Sequence, residues 1–103
     1  MDTYLFNSTL SVHASFAKRG LNEDDPVATT DTPDKEDGSL YGPLKALCED
    51  VTRDVFRERA IIVRPHLIVG PGDTTDRFTY WPVRIQKGGE VLAPGSMNRP
   101  VQY

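Results

Sequence analysis

The spacing of apolar residues predicts a strand, a helix and a second strand, in that order along the chain. A short aromatic-rich run over residues 3–9 is typical of a buried strand. From Tyr41 to Arg59 apolar residues recur every three or four positions, which predicts a helix with one apolar face. That face comprises Leu44, Leu47, Cys48, Val51, Val55 and Phe56. A β-branched run over residues 60–64 follows at once and is typical of a strand that is buried on both faces.

Polar residues and turn formers separate these elements. Residues 15–39 show no sustained period, which predicts a long loop. Ser39 is the expected cap of the helix. Residues 66–69 are expected to continue in an extended form up to a Gly-Pro-Gly stop. A second short helix is expected at about residues 76–87, and residues 88–95 are typical of a turn and a short strand.

The order of these elements predicts an α/β fold with one βαβ unit. Two strands joined by a helical connection are expected to be parallel neighbours with a right-handed crossover. A single unit of this kind leaves both edges of its sheet unpaired. Self-association through those edges is therefore expected.

Composition and charge limit the classes of function. A chain of 103 residues suffices for one small domain, and it has no apolar run of membrane-spanning length and no basic, apolar leader. The net charge of −3 comes with an acidic stretch over residues 23–37, and no Lys/Arg stripe suits nucleic acid. Cys48 is the single cysteine, expected to be a small buried hydrophobe, and with two scattered histidines it makes no metal pattern. We therefore expect a cytoplasmic protein that binds no nucleic acid, membrane or metal.

A phenol and an ammonium stand four residues apart at the predicted start of the helix. Tyr41 and Lys45 fall on one face of its first turn. A neighbouring cation favours the phenolate form of a tyrosine, which suits a proton shuttle. Hydroxyl groups around Thr9 follow the first strand, and the segment after Val63 follows the second. Because the carboxyl ends of parallel strands form the ligand crevice of an α/β sheet, these groups are expected to converge there.

Three sequence blocks occur in an order that resembles a known enzyme family. They are Ser-Thr-x-Ser-Val over residues 8–12, Tyr-x-x-x-Lys over residues 41–45 and Arg-Pro-x-x-Ile-Val-Gly-Pro-Gly-Asp over residues 64–73. Together they resemble the extended short-chain dehydrogenase/reductase family, and most of all its NAD-dependent epimerases and dehydratases. The resemblance implies a partial Rossmann-like fold. Residues 1–75 would be the C-terminal part of an NAD(P)-binding domain, and residues 76–103 would begin a substrate-binding region.

The resemblance also implies roles for individual residues. Thr9 would hold the reacting oxygen of the substrate, Tyr41 would exchange a proton with that oxygen, and Lys45 would bind the nicotinamide ribose. The implied cofactor-binding residues are Tyr41, Lys45, Pro65, His66, Leu67 and Ile68. The implied cofactor is NAD or NADP, and the implied substrate is a small hydroxyl or ketone compound such as a nucleotide-sugar.

The chain departs from the family pattern in ways that leave a second hypothesis open. It contains no Gly-x-x-Gly-x-x-Gly turn, so the cofactor pyrophosphate would lack its backbone cradle. His13 stands where many relatives carry a tyrosine, and both ends resemble cuts from a chain about three times as long. The first hypothesis is a fragment of an NAD(P)-dependent oxidoreductase. The alternative is a truncated, non-catalytic gene product that cannot bind cofactor alone.

Other residues admit weaker hypotheses. His66 is either a catalytic base or a residue that packs beside a cofactor groove. The acidic stretch is either a calcium loop or, more in keeping with its spacing, a solvated loop. Phe78, Tyr80 and Trp81 either pack or form a sugar-stacking surface, which would make the chain a small binding module.

Overall fold

The computed structural model of the chain describes residues 2–35, 37–93 and 95–98. The chain divides into two compact units, Met1–His66 and Leu67–Tyr103, and each is described by itself. Both contain a helix, and the first also contains a parallel pair of strands. The fold is therefore mixed α/β.

The first unit is built as strand, helix, strand. Its regular elements are β1 (Tyr4–Asn7), α1 (Tyr41–Phe56) and β2 (Ala60–Val63). The two strands run parallel, with Tyr4 opposite Ala60 and Asn7 opposite Val63. The predicted βαβ order and the parallel pairing are confirmed. Two parallel strands that are neighbours require a crossover connection, and α1 provides it. Both strands are shorter than predicted by one to three residues in all. The helix ends three residues earlier than predicted, because Arg57–Arg59 form a 3₁₀ turn.

One face of the two-stranded sheet packs against α1 and the other is open. Tyr4 stacks on Phe56 of α1 with the ring centroids 4.0 Å apart. On the opposite face Ile61 and Val63 remain 48% and 43% exposed. The prediction that this strand is buried on both faces is therefore wrong for the chain as it stands, because α1 covers only one side.

The helix packs through a different face from the one predicted. Gly42, Ala46, Glu49 and Thr52 are buried. Leu47, Val51 and Val55 of the predicted apolar face are 40–61% exposed, and Cys48 is exposed as well. The reason is that Gly42 lets α1 approach the turn after β1 closely, and that the Glu49 carboxylate forms hydrogen bonds with Ser8 and Arg64 at the strand ends. Leu47, Cys48, Val51 and Val55 are consequently left exposed, whereas Phe56 of the predicted face stacks on Tyr4 of β1.

The ends of α1 also differ from expectation. Ser39 is not the helix cap, because it lies in a 3₁₀ turn, Gly38–Leu40, that precedes α1. The cap of that turn is Asp37, whose carboxylate accepts a hydrogen bond from the Ser39 amide at 2.9 Å. At the other end Arg57 ends the helix with a φ of 50°.

Irregular structure fills most of the remaining chain. The predicted long loop is largely confirmed, and one antiparallel bridge joins His13 to Val27 within it. Residues 88–93 contain no strand, contrary to the short strand predicted within 88–95, a range that also includes Pro94, outside the described residues. Arg64 lies just beyond β2, and residues 66–69 form no paired strand, so the extended form predicted for them stays a prediction. In the second unit the predicted helix is shorter, α2 (Tyr80–Gln86). No helix within the described ranges is long and apolar enough to cross a membrane.

Candidate functional site

The start of α1 lies directly against the turn that follows β1. Gly42 faces the 3₁₀ turn Leu10–Val12, and a Cβ atom at this position would overlap the carbonyl oxygen of Ser11. Only a residue without a side chain permits this approach. The glycine therefore brings Tyr41, its neighbour in sequence, next to the loop that carries Thr9. Tyr41 itself is 53% exposed.

Lys45 reaches the carboxyl end of β1. Its Nζ donates a hydrogen bond to the carbonyl oxygen of Asn7 at 2.8 Å. The same ammonium lies 4.5 Å from the ring centroid of Phe6, a cation–π distance. An ammonium has three donors, so the bond to Asn7 leaves two for other acceptors. The cation is thus held two residues before Thr9 in the sequence.

Thr9 is placed by its own hydrogen bond and by the neighbouring strand. Its hydroxyl oxygen accepts a hydrogen bond from the Ser11 amide at 3.1 Å, which caps the 3₁₀ turn. The next residue, Leu10, donates its amide to the carbonyl oxygen of Pro65 at 3.0 Å. A hydroxyl that accepts can still donate its own hydrogen. Thr9 can therefore offer a donor to a ligand beside the Pro65 segment.

The predicted residues fall into two groups. Thr9, Tyr41, Lys45 and Pro65 belong to the first unit and lie on neighbouring segments around the carboxyl ends of β1 and β2. His66 ends that unit with its side chain exposed. Leu67 and Ile68 belong to the second unit. The candidate site therefore consists of Thr9, Tyr41, Lys45 and Pro65.

A buried ionic cluster fixes α1 to both strand ends, one turn after Lys45. Glu49 is 1% exposed, and its carboxylate accepts two hydrogen bonds from Arg64, from Nε at 2.9 Å and Nη2 at 2.7 Å. Ser8 Oγ donates to the same carboxylate at 2.5 Å. Arg53, in the next turn of the helix, adds a bond at 3.0 Å. Ser8, which lies between Asn7 and Thr9, is thereby hydrogen-bonded to the helix that carries Tyr41 and Lys45.

Opposing effects set the protonation of this cluster. Burial raises the pKa of Glu49, but the hydrogen bonds from Arg64 and Ser8 and the charge of Arg64 outweigh it, so that the pKa lies below its ordinary value. Hydrogen bonding to Glu49 raises the pKa of Arg64 against the opposing effect of burial, and the charge of Glu23 adds to that rise. The pair is therefore ionised at neutral pH.

Sequence reasoning missed the cluster and the close approach of Gly42. Glu49 lies four residues after Lys45 and seven after Gly42, on the same helical face. That spacing of glycine, lysine and glutamate was a usable signal. Apolar periodicity alone does not reveal it, because glycine, lysine and glutamate are not apolar core residues.

The second unit carries a small cleft along α2. Its volume is about 220 Å³, and it is lined by Asp76, Thr79, Tyr80, Val83, Arg84 and Lys87. Tyr80 and Trp81 meet edge to face with their ring centroids 5.2 Å apart. Tyr80 and Trp81 nevertheless remain 54% and 45% exposed, so this contact does not bury them in a core.

Comparisons of the chain with protein-family models, with curated proteins and with solved structures found no match.

Proposed function

We propose that the chain is part of an NAD(P)-dependent oxidoreductase of the extended short-chain dehydrogenase/reductase kind, with epimerase or dehydratase chemistry on a hydroxyl or ketone substrate. The observation that supports this most is the position of the Lys45 ammonium, 2.8 Å from the Asn7 carbonyl at the end of β1. The parallel strands would then be one βαβ unit of a Rossmann-like sheet. A nucleotide-sugar is the substrate that the family resemblance favours.

The residues present suit the nicotinamide end of such a cofactor. Two donors of Lys45 remain for the hydroxyls of a ribose, and Pro65 supplies neighbouring backbone. The pyrophosphate end has no glycine-rich cradle in the 103 residues. When bound, the nicotinamide would exchange hydride with the carbon that bears the reacting oxygen.

The chain's own residues would handle the proton and the substrate oxygen. Thr9 would donate its hydroxyl hydrogen to that oxygen, while its own oxygen accepts from the Ser11 amide. Tyr41 would give or take the proton at its Oη, in the manner of a general acid or base. Its 53% exposure leaves the phenol accessible to a substrate from solvent.

A titration with reduced nicotinamide mononucleotide tests the proposal, because this probe carries only the end of the cofactor that Lys45 would bind. Chemical shifts of ¹⁵N-labelled chain should change at Thr9, Tyr41 and Lys45. Lys45→Met keeps the length of the side chain and removes its charge, and should weaken binding by about tenfold.

Lys35→Met is the matched control, since this exposed lysine lies in the long loop, and it should leave binding unchanged. Shifts spread evenly over the surface, or equal losses in the two variants, would refute the nicotinamide site.

A further inference from the structure

The Lys45 ammonium is held by two neutral groups at the end of β1. The carbonyl oxygen of Asn7 accepts its hydrogen bond at 2.8 Å, and the centroid of the Phe6 ring lies 4.5 Å from Nζ. Lys45 forms no ion pair with any residue that the structure describes. Its positive charge is therefore held in place without a carboxylate to neutralise it.

The carboxylate that could compete for this ammonium is already occupied. Glu49 stands four residues further along α1, a spacing at which a lysine and a glutamate can pair on a helix. Its Oε1 accepts hydrogen bonds from Ser8 and Arg64, and its Oε2 accepts from Arg64 and Arg53. An ionised carboxylate has about four lone-pair sites, so none is left for Lys45. The ammonium is consequently free to bind at the strand end.

Phe6 lies on the face of β1 that meets α1. Because side chains alternate along a strand, Phe6 shares this face with Tyr4, whose ring stacks on Phe56 of the helix. The face of an aromatic ring is negative and attracts a cation, whereas an aliphatic side chain does not. A lysine side chain has many rotamers, and an attraction of this kind favours those that place Nζ over the ring.

We infer that Phe6 is a positioning residue for Lys45: its ring and the Asn7 carbonyl together fix the ammonium at the carboxyl end of β1. The two remaining N–H donors of the ammonium are then available to a ligand that brings acceptors, such as the hydroxyls of a ribose. This use of the donors rests on the proposed function, whereas the contact between the ring and the ammonium does not.

The contact is tested by NMR of the ¹³C-labelled chain, at the Cε protons next to the Lys45 ammonium. Protons over the face of a ring resonate upfield, so those of Lys45 should lie upfield of the same protons of Lys35, an exposed lysine of the long loop. Phe6→Leu keeps an apolar side chain and removes the ring, and should abolish the displacement. Phe6→Tyr keeps the ring and should preserve it.

Tyr4→Leu is the matched control. It removes a ring from the same face of the same strand, and that ring stacks on Phe56. The loss should destabilise the chain but leave the Lys45 signals upfield. Urea unfolding followed by circular dichroism shows whether each variant is folded at the temperature of the NMR measurement.

The consequence for a ligand is measured with reduced nicotinamide mononucleotide. Phe6→Leu should weaken its binding by about fivefold, which corresponds to the loss of one cation–π contact. Phe6→Tyr should restore the affinity of the unmodified chain. If Phe6 had only a structural role, Phe6→Leu and Tyr4→Leu would weaken binding equally.

Three results would overturn the inference. They are equal Cε proton shifts for Lys45 and Lys35 in the unmodified chain, loss of the displacement in Tyr4→Leu as well as in Phe6→Leu, and equal affinities of the Phe6→Leu and unmodified chains for the probe. If the unmodified chain does not bind the probe, the proposed function fails. The Cε proton shifts then decide alone whether Phe6 holds Lys45.

Discussion

Gly42 and Ser11 meet so closely that the Cα of one lies against the backbone carbonyl of the other, with no room for a side chain between them. The contact joins the first turn of α1 to the turn after β1, although the two residues are 31 positions apart. It sets the distance between the helix that carries Tyr41 and the loop that carries Thr9.

Gly42→Ala should therefore destabilise the chain, even though alanine favours helices over glycine. The added methyl group must displace backbone, and overpacking of this kind costs about 1–3 kcal/mol. Gly38→Ala is the control, because a Cβ there meets nothing within 4 Å. Urea unfolding followed by circular dichroism measures both. A Gly42→Ala variant as stable as the unmodified chain would contradict the close contact.

Glu49→Gln should lower stability by about 3 kcal/mol at neutral pH, because it leaves the Arg64 guanidinium buried without its counter-charge. The pKa of Glu49 is lowered in the folded state, so its contribution is complete above the ordinary glutamate pKa of about 4.3 and is lost as pH falls through the lower folded value. The difference in unfolding free energy between the unmodified chain and the Glu49→Gln variant should then shrink in acid.

Unfolding free energies at pH 7 and at about pH 3 give the comparison that this requires. Glu58→Gln, on the exposed 3₁₀ turn after α1, serves as the control and should match the unmodified chain at both values. A gap that stays constant or widens in acid would mean that the Glu49 carboxylate is not the stabilising species.

Arg57→Gly should stabilise the chain. Arg57 has φ 50° and ψ −127°, a region that glycine enters freely and other residues enter at a cost. Arg57→Ala removes the same side chain but keeps Cβ, so the difference between the two variants isolates the backbone effect. We expect the glycine variant to be more stable than the alanine variant by about 1 kcal/mol, measured as a shift of the urea midpoint. Equal midpoints would contradict the left-handed geometry.

NADH should bind no more tightly than reduced nicotinamide mononucleotide. The adenosine and pyrophosphate would gain nothing from a chain whose sequence holds no Gly-x-x-Gly-x-x-Gly turn. Competition titrations on the labelled chain measure the two affinities side by side, with Tyr41→Phe to test whether the phenol contributes. If NADH bound more than tenfold more tightly than reduced nicotinamide mononucleotide, the chain would have a pyrophosphate site that its sequence does not indicate.

The sequence was sufficient for the order and pairing of the elements in the first unit. The aromatic run before Ser8 and the β-branched run after Arg59 each predict a strand. A helix between two neighbouring strands favours parallel pairing, because it returns the chain to the same end of the sheet. The placement of Lys45 at the end of β1 also followed, because the start of such a helix lies near the strand ends.

The packed face of α1 did not follow from the sequence. Leu47 and Val51 repeat at helical spacing, but so do Gly42, Ala46 and Glu49, and hydropathy alone ranks the first set as core. The second set is the one buried, because Gly42 fits against the turn at Ser11 and Glu49 pairs with Arg64, 15 residues away. A partner at that separation is a tertiary property that no local pattern encodes.

The open apolar stripe on α1 and the uncovered face of the sheet have a calorimetric consequence. Four apolar side chains of these two surfaces are 48–61% exposed in the folded chain: Leu5, Val51, Val55 and Ile61. Unfolding therefore exposes less additional apolar surface to water than it does in an average domain. The heat capacity of unfolding should accordingly fall below the usual value of about 12–15 cal/mol/K per residue. The urea dependence of stability should be correspondingly shallow. A smaller heat capacity of unfolding flattens the curve of stability against temperature, so the free energy of unfolding should change little across the range in which the chain is folded.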